Sequence, residues 1–279
     1  MRVLIPGMAL AAVIGACSSA PARSPAPGDE ASTATLVRVV AHDYAFDSTH
    51  TVPAGLVAVR LVNQGHAIHM LGIARLDSGK TAADAFHALV AKRPMPWFRE
   101  LGGPGAVSPG DSVTAYAVLE PGRYSMICWV ADSAGRAHFM DGMISELDVT
   151  GTTAGAPVEP PPDIELRESD YHIEMSGTPT AGPHLFRMDN DGPQNHDVAI
   201  VRMLPGKTVD QVMDWMDNPG RVAPAGEALG GLVGITRYGH AEFSLTLTPG
   251  NYVIMCLIPD VHDGRSHFRH GMVRRFTVT

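Results

Sequence analysis

Positive charge is scarce in this sequence: 279 residues carry 21 Lys and Arg against 29 Asp and Glu, with no run of basic residues anywhere. A phosphate backbone is bound by concentrated positive charge, so nucleic acid is excluded as a partner. Long apolar runs are missing too. None reaches the roughly 18 residues that a membrane-spanning helix needs, which excludes a polytopic membrane protein. Cysteine is limited to three residues, one of them at position 17. What is present is a globular composition, 45% hydrophobic and 18% charged, with Gly at 29 and Pro at 22 residues. That many turn formers suit a strand-rich protein better than a helical one. At roughly 100–150 residues per domain, the length allows two domains with cores of their own.

The amino terminus reads as an address. Arg2 precedes a mostly apolar run, Val3 to Ala16, which ends in Ile14-Gly15-Ala16 and meets Cys17. A positive start, a short apolar core and small residues before the cut mark a secretory signal. Small residues followed at once by Cys resemble a bacterial lipobox, and that resemblance implies cleavage before Cys17 and a lipid on its sulfur. The other reading is an ordinary signal peptide that contains a Cys. Residues 1–16 are thus expected to be a signal peptide. Residues 17–33, rich in Ser, Ala and Pro after the Cys, are expected to be a flexible tether.

The rest of the chain is one unit written twice. Asn63-Gln64-Gly65 before His69 returns as Asn190-Asp191-Gly192 before His196. Pro121-Gly122-Arg123-Tyr124 before Cys128 returns as Pro249-Gly250-Asn251-Tyr252 before Cys256. His138-Phe139 and Gly142-Met143 return as His267-Phe268 and Gly271-Met272, and the offset stays between 127 and 129. A duplicated domain is the simplest account. The predicted units are 34–150 and 161–279, joined by a Gly-, Ala- and Pro-rich linker over 151–160.

Each copy is written mostly in short strands. Leu56 to Val62 is a Val-rich run that ends at a turn, while Ser112 to Leu119 and Glu242 to Leu247 largely alternate polar or small with apolar residues. Tyr124 to Val130 and Tyr252 to Ile258 follow Pro-Gly turns and are apolar enough for central strands. One helix per copy is predicted, Ala82 to Lys92 capped by Thr81 and Val209 to Met216 capped by Thr208. The fold class predicted is therefore all-β, with two tandem Greek-key β-sandwiches and one short helix inserted in each. The Gly-Lys-Thr triplets at 79–81 and 206–208 are not phosphate loops, because that motif needs a Gly where Ala74 and Val201 stand.

Each copy also offers two His, a Cys and a Met in the same order. These are His69, Cys128, His138 and Met143 in the first, and His196, Cys256, His267 and Met272 in the second. Two imidazoles and a thiolate, with a weak thioether on the axis, form the ligand set of a blue copper site. Thiolate and thioether favour Cu(I), imidazole serves Cu(II) as well, and a compromise geometry lets the ion change charge with little rearrangement.

At these residues the chain resembles the cupredoxin family, twice, over nearly all of 34–150 and 161–279. The resemblance implies Greek-key sandwiches that each hold one type 1 copper ion. It assigns His69 and His196 as first imidazole ligands and Cys128 and Cys256 as thiolates. His138 and His267 become the second imidazoles, Met143 and Met272 the axial thioethers. The Cys-to-His gaps, nine and ten residues, are longer than those of small electron carriers. They are closer to those of the copper oxidases and nitrite reductases that resemble fused cupredoxins.

With Cys17 used for lipid, only Cys128 and Cys256 remain in an oxidising compartment, where a metal would protect a free thiolate. A disulfide between them needs Cα atoms within about 7 Å, yet they hold equivalent places in separate copies. Buried inert thiols are the remaining alternative. Of the other histidines, His66 aligns with Pro193 and His270 with Asp141, so neither recurs; His262 and His270 stand near the second site and could compete for metal.

The function expected is one-electron transfer by an exported protein, lipid-anchored in the bacterial cell envelope, between redox partner proteins there. Copper holding or delivery and a metal-free binding module are the alternatives. Oxidase or reductase chemistry is disfavoured. Those enzymes place a His beside the copper Cys, whereas the neighbours here are Ile127 and Trp129, then Met255 and Leu257, and paired His-x-His segments are missing.

Overall fold

The computed structural model describes residues 34–152 and 161–279. The expected signal peptide, Cys17, the tether and most of the linker lie outside the described residues.

The first half forms β1 (Thr35–His42), β2 (Ala45–Asp47), β3 (Thr51–Pro53), β4 (Gly55–Asn63), β5 (Gly72–Leu76), α1 (Ala82–Val90), β6 (Phe98–Gly102), β7 (Ser112–Leu119), β8 (Gly122–Ile127) and β9 (Ile144–Thr150). The second half forms β10 (Ile164–Ser169), β11 (His172–Ser176), β12 (Gly182–Asn190), β13 (His196–Met203), α2 (Val209–Asp217), β14 (Gly226–Ile235), β15 (His240–Leu247), β16 (Gly250–Met255) and β17 (Val273–Val278). In each half the first strand pairs in parallel with the long strand that leads to the first His, β1 with β4 and β10 with β12. Those connections cross over, which gives each half its Greek-key character.

The sheets do not stay within the halves. One sheet of eight strands runs β11-β10-β12-β15-β7-β4-β1-β2, joined where β15 pairs antiparallel with β7 at Glu242–Tyr116, Phe243–Ala115 and Ser244–Thr114. A five-stranded sheet, β3-β9-β8-β5-β6, completes the first sandwich, and a four-stranded one, β14-β13-β16-β17, completes the second. The inner faces of all three contribute to a single apolar core, with Leu61, Tyr124 and Met126 on one side of the junction and Phe243, Tyr252 and Ile254 on the other. This is the alternation of inward apolar residues that a sandwich requires.

Residues 103–108 stitch the halves together by alternating their partners. Leu71 N donates to Pro104 O at 2.9 Å and Val107 N to His69 O at 2.8 Å within the first half. Gly105 N donates to Gly231 O at 3.0 Å and Ser108 N to Ala228 O at 2.7 Å across the junction.

Both helices carry capping boxes, Thr81 with Asp84 and Thr208 with Gln211, in which side chain and backbone satisfy each other's free N–H groups. The strands expected through Val130 and Ile258 end earlier, at Ile127 and Met255. The ladder stops because Cys128 and Cys256 turn away to bond with their own loops. Those loops contain a short 3-10 turn in each half, His138–Asp141 and His267–His270.

Candidate metal centres

Two local devices place the donors. The first is the Asn-x-Gly turn. Asn63 Oδ1 accepts from Gly65 N at 2.9 Å, while Asn63 Nδ2 donates to Ala67 O and Val107 O at 2.8 and 2.9 Å. Asn190 does the same with Gly192 N, Gln194 O and Ile235 O. A buried side chain thus completes the backbone bonds of the turn that delivers His69 or His196.

The second device is the loop after β8 or β16. Cys128 N donates to Met143 O at 3.1 Å, Phe139 N to Cys128 O at 3.1 Å and Met143 N to His138 O at 3.1 Å. Cys256, Phe268, Met272 and His267 repeat the pattern at 3.3, 3.0 and 3.2 Å. Cys, second His and Met are therefore tied by their own backbones. All eight side chains are at most 1% exposed.

In the first half, His69 Nδ1 lies 3.2 Å from His138 Nδ1, and Cys128 Sγ lies 3.9 and 3.6 Å from those two nitrogens. In the second, His196 Nδ1 and His267 Nδ1 are 3.1 Å apart, and Cys256 Sγ is 3.8 and 3.4 Å from them. An ion at the centre of such a triangle, about 2.0 Å from nitrogen and about 2.3 Å from sulfur, requires edges of about 3.5 and about 3.7 Å. The triangles fit that ion.

The outer face of each first imidazole is fixed by a carboxylate. His69 Nε2 is 2.8 Å from Asp43 Oδ1, and His196 Nε2 is 3.1 Å from Asp170 Oδ1. A hydrogen on Nε2 leaves the lone pair of Nδ1 pointing at the thiol and the other ring, as metal-binding histidines are commonly held. Gly65 and Gly192 lie directly against these pairs. A Cβ on Gly65 would sit 2.4 Å from Asp43 Oδ1 and 2.7 Å from His69 Nε2; on Gly192 it would sit 2.8 and 2.7 Å from Asp170 and His196. The second imidazoles are met edge-on by Tyr44 and Tyr171, with ring centroids 4.8 and 5.6 Å away.

The electrostatics favour a cation. Burial pushes the Cys128 thiol up to about 12. Burial and then the charges of Asp197 and Glu168 raise Cys256 well above its usual range. Burial, with the neighbouring imidazole second, lowers His138 and His196 to about 4. His69 and His267 are lowered by burial as well. For Asp43, burial acts upward, but hydrogen bonds from His66, His69 and Ala67 outweigh it and hold the carboxyl well below the usual range. At neutral pH each cage is therefore two neutral imidazoles and a protonated thiol that becomes an anion only for a metal. With the thioether of Met143 or Met272 buried in the same loop, the donor set of each domain suits one type 1 copper ion.

Asp43 and Asp170 were missed in the sequence, although the signal was there: Asp43-Tyr44 recurs as Asp170-Tyr171 at the same offset of 127 as the first His. Two further acids belong to the second half alone. Asp197 stands where the first half has Met70, accepts from Leu257 N at 2.6 Å, and donates its own N–H to Cys256 Sγ at 3.4 Å. Glu168 stands where the first half has Ala41, is fully buried, and neither of its oxygens has a hydrogen-bond partner among the described residues. Of the non-recurring histidines, His66 bonds Asp43, and His270 gathers with Asp263 and Asp260 beside the second cage. His262 offers Asp260 its backbone N–H.

Cys128 and Cys256 are both free thiols, each occupied with its own cage. No helix among the described residues is long and apolar enough to cross a membrane.

No protein-family model matches the chain, and no curated protein matches it in sequence. Among solved structures, it is similar to the dithionite-reduced auracyanin of Roseiflexus castenholzii, at 22% identity and a TM-score of 0.32, over 42% of this chain and 98% of that one. It is similar to auracyanin A of Chloroflexus aurantiacus, a blue copper protein, at 18% identity and 0.31, over 42% and 98%. The copper-containing nitrite reductase of Thermus scotoductus matches over 88% of this chain and 61% of its own, at 14% identity and 0.24. These likenesses are slight, and the chemistry of the cages rests on their own geometry. By its sheets and its two donor sets, the chain resembles the cupredoxins, with two copies of the fold in tandem.

Proposed function

We propose that this protein is an exported, lipid-anchored electron carrier with a type 1 copper ion in each of two domains, 34–150 and 161–279. Copper would be held in the first domain by His69, Cys128 and His138 with the buried Met143 as a further donor, and in the second by His196, Cys256 and His267 with Met272. The observation that carries this reading is the pair of near-superimposable triangles of two Nδ1 atoms and one Sγ. Copper in such a cage supplies one-electron chemistry between Cu(I) and Cu(II).

The protein supplies the rest. Asp43 and Asp170 orient the first imidazoles, the loop hydrogen bonds fix Cys, His and Met relative to one another, and full burial keeps water from the ion. A cage set by folding rather than by the metal changes little when the ion changes charge. The residues on either side of Cys128 and Cys256 are apolar, which supports transfer over oxidase chemistry. Cys17 is the lipid attachment point in this reading, and the partners are redox proteins of the envelope.

The test is to load the metal-free protein with Cu(II). An intense blue thiolate-to-copper band is expected, with Cys128→Ser and Cys256→Ser each removing part of it and the double variant all of it. A colourless loaded protein overturns the reading. A carrier keeps its copper through repeated reduction and reoxidation, whereas loss of the ion to an acceptor marks a delivery protein instead.

A further inference from the structure

The residues that follow the first His and the Cys of both cages, Met70, Trp129, Asp197 and Leu257, line one cavity of about 440 Å³ at the junction of the halves. Met70 and Asp197 are equivalent positions of the repeat, as are Trp129 and Leu257. The cavity thus lies one residue from donors of both centres. Its volume falls within the range of small-molecule sites.

The walls define the class of occupant. They are mainly apolar, with the Trp129 indole as an aromatic surface, and no Lys, Arg or His among the described residues lines them. An anionic ligand has no counter-charge there. The polar groups include three carboxyls, Glu100 of the first half and Asp197 and Asp217 of the second, of which Asp217 is already paired with Arg269. Glu100 Oε2 accepts from Asn195 Nδ2 at 3.1 Å and keeps its other oxygen for a ligand hydroxyl. Burial raises Glu100, which also disfavours a salt with a cationic guest.

We infer that this cavity binds a small, uncharged aromatic diol of the hydroquinone class, placed between the two centres. The inference rests on the copper reading for its chemistry but not for binding. Oxidation of the bound diol breaks its two O–H bonds and leaves the quinone. With copper in both cages, one electron would go to each of the two Cu(II) ions, and the two protons would pass to water at the open side of the cavity. A two-electron donor is thereby matched to two one-electron acceptors held at fixed positions by the shared sheet.

The test is anaerobic titration of the metal-free mature chain with hydroquinone, followed by calorimetry and by tryptophan fluorescence, with Trp129→Phe as the control for the signal. One saturable site per chain is expected. Ala131→Phe, which fills the cavity from its half-exposed wall, and Glu100→Leu should each weaken binding at least tenfold while the circular dichroism melt stays cooperative. Benzoate, similar in size but anionic, should not compete. Absence of saturation, indifference to both variants in folded protein, or equal competition by benzoate overturns the inference. If hydroquinone binds but no blue band forms with copper, the copper reading falls and the site stands. If the band forms but hydroquinone does not bind, the reverse holds. In the loaded protein one hydroquinone should bleach two coppers, and bleaching of only one centre refutes the shared placement.

Discussion

His69 and Asp43 are 26 residues apart in sequence and 2.8 Å apart in the fold, and His196 and Asp170 repeat the pair at 3.1 Å. Each carboxylate fixes which imidazole nitrogen keeps a free lone pair, and so which atom faces the cage. Asp43 also accepts from the backbone of His66 and Ala67, so one side chain holds both the turn and the ring.

Replacing Asp43 by Ala should lower copper affinity at the first centre by about 10–100-fold, the usual effect of removing such an outer partner, and leave the second unchanged. Chelator competition on the blue band, read in the background of Cys256→Ser, measures it. An unchanged affinity would mean the turn alone orients His69.

Copper uptake at pH 7 should release two protons per chain, one from each thiol. The imidazoles are already neutral there, since burial lowers them, while Cys128 is pushed up to about 12 and Cys256 is raised by burial. A pH-stat titration counts the protons. No release would indicate ligands other than the cysteines.

Gly65→Ala should cost both metal and stability. Its Cβ would fall 2.4 Å from Asp43 Oδ1, and overpacking of this kind costs about 1–3 kcal/mol. Thermal melting and copper stoichiometry of the variant check the point, with Gly192→Ala as its counterpart in the second half. A variant that melts like the parent with two coppers bound would show that the pair moves freely.

In the metal-free chain His138 and His196 should contribute less stability as pH falls from about 6.5 towards 4, while Asp197 and Glu168, both raised by burial, act in the opposite sense. His138 and His196 sit at about 4 in the fold, against 6.5 when unfolded. At these two rings the unfolded chain binds more protons across that window, so their contribution to stability rises with pH through it. The contribution is complete above 6.5. Urea midpoints at pH 4.5, 5.5 and 7 for the parent and for His138→Gln isolate the effect: the parent should gain on the variant as pH rises, and a constant gap would contradict the burial of this ring.

Residues 34–152 and 161–279, produced separately, should each expose one open strand edge, that of β7 or β15, together with apolar surface from residues 103–108 or β14. Mixed in equal amounts they should associate, which sedimentation velocity reads directly. Two well-behaved monomers that ignore each other would show that the shared sheet contributes little.

Much of the site was legible because its devices are local. An Asn-x-Gly turn four residues before a His, and a Cys, His and Met on one loop, leave a fixed spacing that a repeat exposes. Ser112–Leu119 matches its strand end to end because alternation is a property of neighbouring residues. The strand limits at Ile127 and Met255 were not legible: apolar runs continue past them, and only the loop's own hydrogen bonds stop the ladder.

By itself the sequence determined the donor types, their order and their duplication, since these follow from side-chain chemistry and short-range turns. Tertiary structure decided which carboxylate meets which imidazole, that Glu168 and Asp197 lie beneath the second cage alone, and that β7 and β15 merge two sandwiches around a common cavity. Those are contacts between distant segments. They depend on how faces pack, and packing leaves no periodic mark in the chain.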